Sequence, residues 1–177
     1  IDFTDADLTN ADLSGSKLTA YATSYSYVGG GDASIDFTGA TLTNADLSDS
    51  ELTADGTKDA TIDFTEANLA NADLSGSTLT AKAVGASTID FTEAKLAHAD
   101  LSGSKLTAHA GDFGNALIDF TDADLANADL SGSELSADTI VGLTSISPSP
   151  SPSSSPSSSP SPLLYFLQSS TDLEDST

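Results

Sequence analysis

The sequence predicts an all-β solenoid, a chain wound into stacked coils instead of folded around one globular core. Three observations carry that prediction. The tetrapeptide Ile-Asp-Phe-Thr occurs five times, beginning at Ile1, Ile35, Ile62, Ile89 and Ile118. Within each of the five blocks a large apolar residue recurs at every fifth position. The 177-residue chain contains no Trp, Met or Cys, so the bulky components of an ordinary core are scarce, whereas a stack of thin layers does without them.

The recurring apolar residues are the predicted core. They are Phe3, Leu8, Leu13 and Leu18; Phe37, Leu42, Leu47 and Leu52; Phe64, Leu69, Leu74 and Leu79; Phe91, Leu96, Leu101 and Leu106; and Phe120, Leu125, Leu130 and Leu135. Two residues before each stands a second, usually smaller side chain: Ile1, Ala6, Ala11 and Ser16 in the first block, Ile118, Ala123, Ala128 and Ser133 in the fifth. A period of five fits neither an α-helix nor a long strand. It fits a very short extended segment followed by a turn, because side chains two apart on extended backbone point the same way. Amphipathic helices broken by loops would need the five-residue spacing to be accidental. Twenty residues then close one four-sided coil. A single coil buries one layer only, so stacking must supply its hydrogen bonds and its core.

Ala6-Asp7-Leu8-Thr9-Asn10, Ala11-Asp12-Leu13-Ser14-Gly15, Ala67-Asn68-Leu69-Ala70-Asn71 and Ala123-Asp124-Leu125-Ala126-Asn127 share the form A(D/N)LXX. The sequence resembles the pentapeptide-repeat family through these units, from residue 1 to about 137. The resemblance implies a right-handed quadrilateral β-solenoid with four units per turn. It also implies a function, since some members of that family resemble duplex DNA in shape and charge and inhibit DNA topoisomerases. Those members dimerise through an aromatic C-terminal cap, which this chain's C-terminal region does not match.

Between the coils stand spacers: Tyr21–Ser34, Asp55–Thr61, Lys82–Thr88 and His109–Leu117. Their Gly, Ser, Thr and Asp content reads as loops inserted between coils. The alternative is that each spacer widens the coil. The first spacer holds Tyr21, Tyr25 and Tyr27, the best local contact patch in the solenoid.

Aligning the blocks gives outward columns. Two are wholly aspartate: Asp2, Asp36, Asp63, Asp90 and Asp119, and Asp12, Asp46, Asp73, Asp100 and Asp129. Rungs in such a column sit roughly 5 Å apart, and like charges at that separation raise carboxyl pKa values. Capping of the local turn by Asp is the simplest role. Diffuse cations or Ca²⁺ are the other partners such columns suit, although no EF-hand loop or Ca²⁺-binding nonapeptide is present. Asn10, Asn44, Asn71, His98 and Asn127 read as an amide ladder. Thr4, Thr38, Thr65, Thr92 and Thr121 form a hydroxyl column, as do Thr19, Thr53, Thr80, Thr107 and Ser136. Such ladders resemble ice-binding surfaces, but the neighbouring Asp columns spoil the weakly polar face that ice binding favours.

Charge and composition narrow the function. The chain has 27 acidic and 5 basic residues, a formal net charge of -22. Such a surface repels nucleic acid and anionic lipid. Absence of Cys removes disulfides and thiolate chemistry, and His98 and His109 alone make no metal or catalytic set. No phosphate-binding loop or zinc-protease motif occurs. The expectation is therefore no catalytic residue, no cofactor and no membrane span.

The domain reading is a solenoid over residues 1–146, a Ser/Pro-rich extended linker over 147–162, and an apolar patch with an acidic tail over 163–177. Within the solenoid, Ile140-Val141-Gly142-Leu143 is placed to cover the C-terminal coil. The linker cannot form a core, and its composition resembles hydroxyproline-rich extracellular glycoproteins. Leu163, Leu164, Tyr165, Phe166 and Leu167 are too few to span a bilayer and read as a contact segment for protein subunits, copies of this chain included. The sequence points to a non-enzymatic repeat scaffold contributing to an extracellular or cell-surface filament or matrix through end-to-end or tail-mediated contacts. A protein- or carbohydrate-binding module and a DNA mimic are the alternatives.

Overall fold

Each five-residue unit closes on a turn. The Phe3 carbonyl accepts the Ala6 N–H at 3.0 Å, and Asp5 between them has φ 55°. Positive φ confined to the third residue of a four-residue turn is the type II pattern. It recurs at three corners of every coil, at Asp5, Asn10 and Gly15 in the first and at Gly39, Asn44 and Asp49 in the second. The structure, a computed structural model, describes residues 1–22, 30–112 and 114–143.

Stacking joins these turns into sides. Two sides are continuous parallel sheets. One consists of β1 (Lys17–Tyr21), β3 (Glu51–Asp55), β5 (Thr78–Lys82), β7 (Lys105–His109) and β9 (Glu134–Ser136), in that order. The other consists of β2 (Ala33–Asp36), β4 (Ala60–Asp63), β6 (Ser87–Asp90), β8 (Ala116–Asp119) and β10 (Thr139–Val141). The other two sides are narrower, held by single bridges along Asp7–Thr41–Asn68–Lys95–Asp124 and Asp12–Asp46–Asp73–Asp100–Asp129. The predicted all-β solenoid is thus the observed one, and no helix occurs among the described residues.

Register places like on like. Leu18, Leu52, Leu79, Leu106 and Leu135 align across one sheet; Ile35, Ile62, Ile89, Ile118 and Ile140 align across the other. The predicted core residues of coils two to four are buried, as are Phe120, Leu125 and Leu130 of the fifth. Phe3, Leu8, Leu13, Leu18 and Leu135 are partly buried against them. The five phenylalanines stack with centroids 4.8–4.9 Å apart and planes within 11° of parallel. That spacing is the interstrand repeat, so each coil adds one ring to the stack.

The spacers Asp55–Thr61 and Lys82–Thr88 widen the coil, which corrects the reading of them as loops. Ala54, Ala81 and Ala108 lie two residues beyond the core leucines of β3, β5 and β7, and all three are buried. Ala33, Ala60, Ser87 and Ala116 lie two residues before the core isoleucines and are buried as well. Small side chains in phase with the ladder continue the extended backbone inward-facing on both sides. Only the short link between strands, such as Gly56–Asp59, turns the corner.

Ile140 continues the isoleucine column beyond Ile118. Gly142 then aligns with Phe120, with φ 82°, and a Cβ on it would lie 2.1 Å from the Phe120 carbonyl carbon. Only glycine fits there. Leu143 packs against the core, so these residues cover the first side of the last coil.

Candidate interaction surfaces

The aspartate columns are turn caps. Asp36 accepts the Thr38 N–H at 2.9 Å, Asp63 the Thr65 N–H at 2.8 Å, and Asp73 the Ser75 N–H at 2.9 Å. The same bond recurs throughout both columns, as an Asx turn that presets the corner. In the first coil these bonds dominate the carboxyls. The Thr9 hydroxyl and then its N–H hold Asp7 below the ordinary carboxyl value; Ser14 does the same for Asp12, and the Thr4 N–H for Asp2. For Asp2 and Asp12 the shift is downward, opposite to the rise expected from stacked like charge, because hydrogen bonds to the charged form outweigh repulsion across an exposed surface; Asp7 stacks on Thr41 instead.

The Asn column has a different cause from the one expected. Asn10, Asn44, Asn71, His98 and Asn127 all have φ between 55° and 60°, and Asn is tolerated there better than most side chains. Among the described residues one rung is hydrogen-bonded, Asn44 Nδ2 to Asn10 Oδ1 at 3.1 Å.

Coil-to-coil bonds also fasten the spacer corner. The Lys58 ammonium lies 3.0 Å from Asp59 Oδ2 and 3.2 Å from Asp32 Oδ1. Asp59 first, then Asp32, raises the Lys58 pKa. Asp59 in turn accepts the Ala86 N–H of the next spacer at 2.9 Å, and Lys58 with this N–H lowers the Asp59 pKa. Tyr21, at the end of β1, is 69% exposed, as is Val84. Tyr25, Tyr27, Leu163, Leu164, Tyr165, Phe166 and Leu167 lie outside the described residues, as does the segment 147–162.

The outward face of the β1–β3–β5–β7–β9 sheet differs from its acidic neighbours. Its middle column is hydroxylic: Thr19, Thr53, Thr80, Thr107 and Ser136. Three of the chain's five basic residues, Lys17, Lys82 and Lys105, stand on it with Glu51, Asp55 and Glu134. Lys17 pairs with Glu51 at 2.7 Å and Lys105 with Glu134 at 3.5 Å. This balanced face is not visible in the sequence, because its charges lie 27 to 34 residues apart and meet only once register is known. Among the described residues no cluster of three or more His, Cys, Asp or Glu side chains is arranged to hold a metal ion.

Pentapeptide repeats, in eight copies, match residues 1–20, 62–80 and 118–137. No curated protein matches the chain. Among solved structures, the chain is similar to HetL from the cyanobacterium Nostoc sp. strain PCC 7120, a pentapeptide repeat protein involved in heterocyst differentiation regulation. Identity is 25%, over 72% of this chain and 48% of HetL, with a TM-score of 0.31. The chain therefore spans about half of HetL. It is similar to the pentapeptide repeat protein Rfr23 from the cyanobacterium Cyanothece 51142 at 17% identity, over 74% of this chain and 90% of that one, with a TM-score of 0.33. It is also similar to a pentapeptide repeat protein from the Arabidopsis thaliana thylakoid lumen at 21% identity, covering 72% and 60%, with a TM-score of 0.27. The chain is thus similar to pentapeptide repeats over three segments, which fall in coils one, three and five of the solenoid.

Proposed function

We propose that the chain is a non-enzymatic scaffold that works through protein contacts along its sides, as part of an extracellular or surface filament or matrix. One observation carries the reading: the carboxylates that dominate the surface are committed to turn caps, so charge is spent on shape, while one sheet face is left flat and balanced. The Ser/Pro composition of residues 147–162 supports the extracellular setting. Light scattering and electron microscopy on material isolated from its source test the proposal. Assemblies well above the 17.8 kDa of one chain support it, and deletion of Leu163–Leu167 should weaken them. A bare monomer would overturn it.

A second reading, mimicry of duplex DNA toward a topoisomerase, draws on the two unbroken Asp columns, which occupy opposite sides of the coil. Inhibition of gyrase supercoiling by the purified chain would favour it; unaltered supercoiling would remove it.

A further inference from the structure

The face of the β1–β3–β5–β7–β9 sheet is complementary to itself. Its edge column reads Lys17, Glu51, Thr78, Lys105 and Glu134 from β1 to β9. Reversing the strand order exchanges every positive residue with a negative one and returns Thr78 to itself. A two-fold axis parallel to the strands, passing over β5 between two facing sheets, performs that reversal while keeping strand direction. Lys17 then meets Glu134 of the second copy, and Glu51 meets Lys105 of the second copy. With the Lys17–Glu51 and Lys105–Glu134 pairs already present within each chain, the four charges close into an alternating ring. Two such rings flank Thr78. The hydroxyl column faces itself between the edges, with methyl groups available to interdigitate.

No other side allows this. The sides bearing Asp2–Asp119 and Asp12–Asp129 would place aspartate on aspartate in either order. The remaining side carries Asp7, Thr41, Asn68, Lys95 and Asp124, and reversal sets Asp7 against Asp124. The geometry points to a second copy of this chain as the partner of the β1–β9 face, docked in antiparallel stacking order. It rests on the scaffold reading by naming one of that scaffold's contacts. A sheet of five short strands covers a few hundred Å², less than the roughly 800 Å² per partner of a stable complex. The dimer is accordingly weak and salt-sensitive. Lys82 falls on the axis opposite its own copy, which opposes the contact.

Sedimentation equilibrium of the purified full chain at physiological ionic strength, where the net charge of -22 on each copy is screened, up to millimolar concentration, tests the inference. Wild type should show monomer–dimer exchange. Lys17→Glu with Lys105→Glu leaves the edge column wholly acidic; Glu51→Lys with Glu134→Lys leaves it wholly basic. Each double variant alone should dimerise at least tenfold more weakly. An equimolar mixture of the two should recover a heterodimer as tight as wild type or tighter. Lys82→Gln should tighten the wild-type dimer. The pairs are exposed, so the fold should survive, with circular dichroism as the check. Wild type that stays monomeric to millimolar concentration, double variants that dimerise like wild type, or a mixture that fails to recover would each overturn the inference. None of these results bears on whether native material assembles with other proteins.

Discussion

The Asp46 carboxylate takes two hydrogen bonds from Ser48, one from its N–H at 2.9 Å and one from its hydroxyl at 2.6 Å. A residue that reads as surface charge is therefore a fixed part of a corner. Asp46→Ala removes both bonds and should lower stability by about 1 kcal/mol, read from the urea midpoint. Asp46→Asn keeps an acceptor and relieves the repulsion along Asp12, Asp46 and Asp73, so at low salt it should match wild type or exceed it.

Acid should loosen the first coil. The folded-state pKa of Asp7 lies below its unfolded value through the Thr9 hydroxyl and N–H. A depressed carboxyl contributes stability above the unfolded pKa and loses it as pH falls through the folded one. Stability should therefore fall as pH drops below about 4, and Thr9→Val should raise the Asp7 pKa in an NMR titration.

Ser50, Ser77 and Ser104 occupy inward positions, and their hydroxyls find no hydrogen-bond partner among the described residues. Alanine fills the corresponding inward position elsewhere, as Ala72 does. Ser77→Ala should thus leave thermal stability unchanged or raise it, by about 1 kcal/mol at most.

Coils three and four repeat without a break in register. Ile62 pairs with Ile89 and Ala60 with Ser87, an offset of 27 residues. Deleting residues 62–88 removes one complete layer, so the shortened chain should keep its β spectrum and unfold at a lower urea concentration, as nearest-neighbour stacking requires. Deleting only residues 62–81 leaves the spacer stranded out of phase and should abolish cooperative unfolding.

The core was legible because every Phe and Leu of the ladder repeats in phase through all five blocks. The spacers were not, because their inward signal is a pair of alanines such as Ala54 and Ala60, too small and too few to mark a strand by periodicity. The Asx turns were legible from the unbroken Asp columns that begin at Asp2 and Asp12. The left-handed corners at Glu66 and Glu93 were not, since nothing about Glu favours that conformation; they stack in the column of Gly39, whose corner has the same geometry. The balanced sheet face needed register before Lys17 and Glu51 could be seen as neighbours.

If the molecule works through its sides, native assemblies should cover the β1–β9 face before any other. Lysine-reactive footprinting of native assembled material tests it most directly, because the solenoid places its lysines on different sides. Lys17 and Lys105 should be protected relative to the isolated chain under dilute conditions, while exposed Lys95 on the opposite side should keep its reactivity. Equal reactivity of all three in both states would contradict it.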